Sequence, residues 1–487
     1  MTRVLEGLKP ERVFYYFEEI SKIPRCSFKE EKISNFLKEF GESHKLDTYQ
    51  DEALNIIIKK PGTKGYENSP TVVLQGHMDM VCEKDDGVDH DFSKDPIKLK
   101  VEGDFVKAQG TTLGGDNGIA VAMALAILEA EDIDHPPLEV VITTNEESGM
   151  DGAKALDPKL IHGRILINID SDEEGVVLAG CAGGERNKVS LPISWEDIDL
   201  EDKVIYSITV SGLLGGHSGL EIDKGRGNAN KILARTLSFV KDECFSLRLA
   251  YIEGGSKANA IPRNGRAIIV LDKEDEDRAL EAIEGVEELI YNELKDNEPA
   301  FKLKVEKLED NINKVLSEDT YSRLISILTL IPTGVQSMSK EMEGLVESSC
   351  NLAVVKIAGD KIIVESSIRS SKEILKENLS KQIKTVTDIA KAEMESYGSY
   401  PAWEFKENSN IREIFKKVYK DLYGEDLRVA TIHAGLECGI FAEKFPHMDM
   451  ISFGPNMYGA HTPEEKLSIS STERTYNLLL NVLKEIK

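Results

Sequence analysis

The chain has 487 residues, a length that calls for two or three domains, and its 41% hydrophobic content is that of a folded globular protein. A formal net charge of -26 argues against nucleic acid and anionic membranes as partners, because both call for a basic surface. Six scattered cysteines (Cys26, Cys82, Cys181, Cys244, Cys350, Cys438) form no Cys-x-x-Cys pair, so neither a zinc ribbon nor a redox motif is indicated, and reduced, buried thiols are predicted.

Met1 to Pro10 holds no apolar stretch of signal-peptide length, and the longest apolar helix candidate, Ile119 to Leu128, is too short to span a bilayer. A cytoplasmic location is therefore expected. Glu11 to Phe40 has helical spacing, interrupted at Pro24. From Asn55 the period changes. Asn55 to Lys59, Val72 to Gln75, Val140 to Thr143 and Ile165 to Ile169 are short apolar runs of the kind that form strands buried on both faces, with a helix from Asn117 to Glu129 between them. Alternating strands and helices predict a mostly parallel sheet with its sites at the carboxyl ends of the strands. Three runs end in polar clusters there: Gly76-His77-Met78-Asp79, Thr144-Asn145-Glu146-Glu147, and Asp170.

From about Arg186 the pattern shifts to strands (Val204 to Val210, Ser246 to Ile252, Arg266 to Leu271) and a charged helix, Asp277 to Leu294. The order then recurs, with strands at Phe301 to Val305, Leu352 to Ile357 and Lys361 to Ser366 and helices at Thr320 to Leu330 and Glu373 to Glu395. Two copies of one α+β unit are predicted. After Tyr400 the α/β pattern returns: helix Asn410 to Leu422, strands Leu427 to Ile432 and Met448 to Phe453, and a closing helix Glu464 to Ile486. The expected organisation is an α/β domain, 1–186 plus 401–487, interrupted by an inserted α+β domain, 187–400.

In an extended backbone His77 and Asp79 face the same side, so Asp79 can orient the imidazole while its other nitrogen binds a metal, with an ordinary turn at the strand end as the alternative. Asp116, in Gly114-Gly115-Asp116-Asn117 before the apolar helix, fits either a helix N-cap or a carboxylate shared by two metals. Glu146 and Glu147 reach one site only if the strand has given way to a loop, and a solvated acidic turn is the alternative. Asp170 carries the same ambiguity. His461 precedes Thr462-Pro463-Glu464-Glu465, a pattern like a capping box, which places it just before the last helix or in a surface loop. Together, two histidines and three carboxylates as ligands, with one further glutamate as base, would supply a pair of three-ligand sites sharing a carboxylate, with coordination left open for water.

Taken together with Gly459-Ala460-His461, Gly215-Gly216-His217-Ser218-Gly219 and Asn259-Ala260-Ile261-Pro262, these motifs resemble the dinuclear zinc peptidases of family M20, and within it most the aminoacyl-histidine dipeptidases. The resemblance implies an aminopeptidase-like catalytic domain with an inserted lid, and two zinc ions per chain, replaceable by cobalt or manganese. His77 and Asp170 would bind one ion, Glu147 and His461 the other, with Asp116 bridging and Asp79 orienting His77. Glu146 would be the general base for a metal-bridging water that attacks the peptide carbonyl. His217 would stabilise the oxyanion, and Asn259, Arg369 and Gly435 would hold the substrate's free carboxylate.

One departure stands out. Shorter members resemble Asn-x-Ile-Pro followed within one strand by Asp-x-Arg, whereas here the arginine falls at Ser366-Ser367-Ile368-Arg369 in the second repeated unit. A homodimer through the lid therefore stays open, as does action of His217 in its own chain or in its neighbour. His433 and Glu437 are candidates for the pocket rim, with a structural role equally open. His44, His90, His135, His162 and His447 lack a framed constellation, and Cys82 lacks a base.

The function implied is hydrolysis of unblocked dipeptides, Xaa-His included. Tripeptidase, carboxypeptidase and N-acyl amino acid hydrolase activities share the same metal site. A non-catalytic metal- or peptide-binding protein is the alternative of a different class. Glu146 separates them, because a binding protein needs ligands but no base.

Overall fold

The computed structural model describes residues 3–487 and divides the chain into two units. One comprises 1–181, 403–431 and 436–487, the other 182–402 and 432–435. No helix among the described residues is long and apolar enough to cross a membrane.

The first unit is built on an eight-stranded sheet in the order Asp47–Gln50, Ile56–Lys60, Leu138–Thr143, Val72–His77, Ile165–Asn168, Asp449–Ser452, Val176–Cys181, Arg428–Ile432. The expectation of a mostly parallel sheet needs correcting. The four central strands, from Leu138–Thr143 to Asp449–Ser452, pair in parallel, whereas the pairings to Ile56–Lys60, to Asp47–Gln50 and to Val176–Cys181 are antiparallel. Short apolar runs read alike in either direction, so the pattern could not tell them apart. The central strands carry the polar clusters, and Val72–His77 is buried along its whole length.

The helix Gly115–Glu129 is apolar on every side, as its sequence requires of an element packed all round. It lies against helix Glu11–Ile20 and strand Val72–His77. A glycine is needed at Gly76, because a Cβ there would stand 2.4 Å from Asn117 Oδ1 and 2.7 Å from the Ala120 methyl.

The second unit carries a nine-stranded sheet whose main path runs Lys302–Leu308, Lys203–Ser211, Gly265–Asp272, Arg248–Gly254, Val346–Ala358, Lys361–Ser370, Gly183–Pro192, Glu393–Tyr400. Helices Ala229–Glu243, Glu276–Leu294, Glu318–Leu330 and Glu373–Ile389 bury their apolar faces in one core with it. Its middle strands, Arg248–Gly254 and Val346–Ala358, are joined by the single pair Gly254 and Val355.

Three further expectations are corrected. The helix predicted from Glu373 to Glu395 stops at Ile389, and Glu393–Tyr400 becomes an edge strand on Gly183–Pro192. The left-handed backbone of Lys391, φ 52°, turns the chain between them. The last helix begins at Ile469, where Ser468 accepts the Ser471 N–H as its cap, so Thr462 to Glu465 form no capping box. The Glu465 carboxylate instead accepts the backbone N–H groups of Leu113, Gly114 and Asp116. Finally, Cys26 and Cys82 are disulfide-bonded, with Cα atoms 5.7 Å apart, while Cys181, Cys244, Cys350 and Cys438 are free and buried. Fifty-six residues separate the bonded pair. A bridge pairing Cys26 with Met80 is what brings the two segments side by side, and spacing alone gave no hint of it.

Candidate metal centre

His77 ends its strand with its backbone N–H on Asn117 Oδ1 at 3.1 Å and its side chain buried. Nδ1 faces Asp79, 3.3 Å from Oδ1 and 3.2 Å from the carbonyl oxygen. Nε2 therefore points the other way, 3.1 Å from Asp116 Oδ1, 3.6 Å from Asp170 Oδ1 and 4.0 Å from Glu146 Oε2. Asp79 also accepts the Ser27 hydroxyl at 2.8 Å and the N–H groups of Glu146 and Glu147 at 3.1 and 3.3 Å. One buried carboxylate thus ties the histidine to the turn that carries both glutamates.

That turn is a single helical turn, Glu146–Gly149, flanked by the left-handed residues Asn145 and Met150, with φ 53° and 60°. Leaving the strand in this way is what lets two successive glutamates face one cluster of histidine and carboxylate groups. Glu147 Oε2 lies 2.9 Å from His461 Nε2, and Asp116 Oδ2 lies 3.3 Å from the same nitrogen. The donors gather into two sets that share Asp116: His77, Asp116 and Asp170, and Asp116, Glu147 and His461, with candidate donor atoms within 4.8 Å of one another in each.

The loop bearing Asp116 is held from below by residues that sequence reasoning missed. Arg25 is fully buried and donates from Nη1 to the carbonyls of Met78 and Asp79, at 3.0 and 3.1 Å, and from Nη2 to that of Gly114. Asn117 Nδ2 donates to the Ile169 carbonyl at 2.6 Å, linking this loop to the strand end before Asp170. Glu465 binds three N–H groups of the same loop, as described above. Nothing local marks Arg25 or Glu465, whose partners lie 53 to 89 and 349 to 352 residues away.

The electrostatics follow from crowding five carboxylates, Asp79, Asp116, Glu146, Glu147 and Asp170, against two imidazoles. Burial opposes a charge on His77, but Asp170, Asp116 and Asp79 outweigh it and hold its pKa well above the ordinary imidazole value. Asp116 and Glu147 raise His461 to about 11. Burial, reinforced by Asp170, Glu437 and Glu147 against the opposing His77, pushes Glu146 well above the usual carboxylate range. Burial likewise raises Asp170 and Glu147. Such a set wants cations. Glu147 Oε1 is buried with no hydrogen-bond partner among the described residues, and mixed imidazole and carboxylate donors suit zinc.

In the second unit, His217 stands in a two-residue strand, Gly216–His217, paired with Ala260–Ile261, and Ser218 N–H donates to the Asn259 carbonyl at 2.9 Å. Arg369, in strand Lys361–Ser370, donates from Nη1 to the Tyr400 hydroxyl at 2.9 Å, and its buried Nε has no partner among the described residues. A side chain at Gly219 would come within 2.5 Å of the His433 carbonyl oxygen and 3.1 Å of Arg369 Nε, and one at Gly435 would meet the Tyr400 ring at 2.7 Å. His217, Arg369, Tyr400, His433 and Gly435 are thus close neighbours within this unit. Tyr400 is a further residue that the sequence did not mark.

The family model for peptidase family M20/M25/M40 matches residues 73–485, a span that takes in every donor of the metal centre. The chain belongs to this family. Among M20 relatives it is 38% identical, over 99% of both chains, to the cytosol non-specific dipeptidase of Escherichia coli strain K12. The crystal structure of aminoacylhistidine dipeptidase from Vibrio alginolyticus superposes with a TM-score of 0.92 at 38% identity, covering 99% of this chain and 98% of that one. A Staphylococcus aureus tripeptidase shares the fold, with a TM-score of 0.58 at 17% identity over 98% of this chain and 99% of its own. The M20 fold of this chain is mixed α/β with a lid-like insertion, the class expected from its sequence.

Glu437 does not belong to a pocket rim. It is fully buried and accepts hydrogen bonds from Gln75 and Thr143 on the central strands.

Proposed function

We propose that this M20 chain is a metal-dependent dipeptidase that hydrolyses the peptide bond of unblocked dipeptides, Xaa-His among them, in the cytoplasm. The observation that carries this reading is the convergence of two three-donor sets beside a carboxylate, Glu146, that neither set uses. Full-length similarity to a cytosol dipeptidase and to an aminoacylhistidine dipeptidase supports the substrate class.

His77, Asp116 and Asp170 would hold one metal and Asp116, Glu147 and His461 the other, zinc being replaceable by cobalt or manganese. Bound there, zinc would supply Lewis acidity to the scissile carbonyl and acidify water. Asp79 keeps the proton of His77 on Nδ1, which leaves the Nε2 lone pair for coordination. Glu146 takes the proton of the attacking water and delivers it to the leaving amine.

His217 is prepared to donate a hydrogen bond. Its Nδ1 accepts the N–H groups of Gly219 and Leu220 at 3.3 and 3.1 Å, so the ring proton sits on Nε2. Burial and nearby Arg369 lower its pKa and keep it neutral. We assign it to the developing oxyanion, acting within its own chain or across a dimer. Arg369, with its planar fork, Asn259 and the backbone at Gly435 take the substrate's free carboxylate. We read residues 187–400 as an inserted lid domain of two α+β units, and 1–186 with 401–487 as the catalytic domain.

Two measurements test this reading. In a panel of Ala-His, β-Ala-His, Gly-Gly, a tripeptide and an N-acetyl amino acid, the α-dipeptides should be cleaved at least roughly tenfold faster than the last two, and chelator should stop all turnover. A tripeptide cleaved faster than any dipeptide would reassign the substrate, and chelator-resistant activity would remove the metal. The second measurement concerns protons. In the metal-free protein His77 and His461 hold theirs through the neutral range, so the ion pairs they make persist until pH climbs towards about 11 for His461. Zinc bound by these residues would displace those protons. Its binding should release about two protons per chain at pH 7, and its affinity should rise with pH. Calorimetry in buffers of different ionisation enthalpy reads this directly, and zero release would mean that the imidazoles are already neutral.

A further inference from the structure

The strands delivering His77, the Glu146-Glu147 pair and Asp170 are short, adjacent and parallel, and each carries one polar side chain just before its cluster. Gln75 lies two residues before His77, Thr143 three before Glu146, and Asn168 two before Asp170. In register, Gln75 stands opposite Asn168, and His77 opposite Thr143. Glu437, the first residue of helix Glu437–Lys444, reaches this row with its side chain fully buried. Its Oε2 accepts from Gln75 Nε2 at 2.5 Å and from Thr143 Oγ1 at 2.7 Å. Gln75 Oε1 in turn accepts from Asn168 Nδ2 at 2.5 Å. Gln75 Nε2 also reaches Thr143 Oγ1 at 3.3 Å, which closes the network.

We infer that Glu437 is a positioning residue for the metal centre, clamping together the three strand ends that deliver His77, Glu146 with Glu147, and Asp170. Packing does not account for a carboxyl here. A buried carboxyl costs free energy that an apolar side chain of similar volume would not, and Glu437 Oε1 has no partner among the described residues. What the carboxyl supplies, and an apolar residue cannot, is one oxygen that accepts from two strands at once.

The inference rests on the reading of His77, Asp116, Asp170, Glu147 and His461 as zinc ligands. Wild-type protein that failed to bind two zinc ions would refute that reading itself, and the test of the clamp is separate. Zinc affinity is measured by competition with a chromophoric chelator, beside kcat and KM for Ala-His. Glu437→Ala should weaken zinc binding by about 10–100-fold and lower kcat with KM little changed. Glu437→Gln keeps an acceptor oxygen for Gln75 and Thr143 and should stay within about threefold of wild type in both quantities. Leu479→Ala, a core truncation in the same unit, serves as the control for destabilisation alone, lowering the melting temperature while leaving zinc affinity unchanged. Should Glu437→Ala fail to accumulate, Thr143→Val deletes one of the two hydrogen bonds and should weaken zinc binding in the same direction. The clamp is overturned if Glu437→Ala, or in its place Thr143→Val, binds zinc as wild type does. It is equally overturned if Leu479→Ala loses as much zinc affinity as Glu437→Ala, or if Glu437→Gln is as impaired as the alanine variant.

Discussion

Replacing Glu146 by glutamine is expected to lower kcat by about 10²–10⁴-fold while the protein still takes up two zinc ions. The carboxyl lies 4.0 Å from His77 Nε2, so it faces the same space as the donors. Each of the two sets nevertheless has three donors without it. Glutamine matches its size and removes only the capacity to take and return a proton, so metal content should be unchanged. The loss should fall on kcat, since Glu146 acts on the water and the leaving amine and not on substrate affinity. Elemental analysis with steady-state kinetics on Ala-His reads both quantities. Near-normal turnover would sink the assigned mechanism, and loss of one metal would make Glu146 a ligand.

The second large effect concerns stability. Arg25→Met should cost about 3–5 kcal/mol of unfolding free energy, because it removes one member of a buried charge network and leaves the others uncompensated. Burial lowers the pKa of this guanidinium, and Glu465, Asp79, Asp116 and Glu147 oppose that shift. Its three hydrogen bonds all go to carbonyls of the loops that carry Asp79 and Asp116. Adding Glu465→Gln should recover part of the loss, since neutralising one carboxylate relieves the imbalance, and the double variant should therefore be less destabilised than the sum of the singles. Urea unfolding of the metal-free forms measures both. A loss below about 1 kcal/mol for Arg25→Met would show that the site tolerates its carboxylates without this cation.

The catalytic unit was legible because its chemistry sits where strand periodicity breaks. Apolar runs that end in His77, in Thr144-Asn145-Glu146-Glu147 and beside Asp170 announce both the strands and the polar ends that gather the candidate donors. Two of the errors have one cause. Thr462-Pro463-Glu464-Glu465 has the composition of a helix start, yet Glu465 binds three N–H groups of a loop about 350 residues earlier, and the helix begins at Ile469. Glu373 to Glu395 keeps helical composition past Ile389, yet an open edge beside Gly183–Pro192 takes its end as a strand. In both cases a distant hydrogen-bond partner overrides local preference.

The same division applies to the residues themselves. Donor types and their placement at strand ends are properties of short stretches, so the sequence by itself determined the chemistry open to His77, Asp116, Glu146, Glu147, Asp170 and His461. Only the tertiary structure decided which atoms face one another and which residues hold the loops in place. Arg25, Glu437 and Glu465 act through backbone groups and side chains tens to hundreds of residues away, the Cys26–Cys82 bond joins two loops with no common motif, and no local pattern encodes such partners. A buried charge is placed by everything that surrounds it, and that surrounding exists only once the chain has folded.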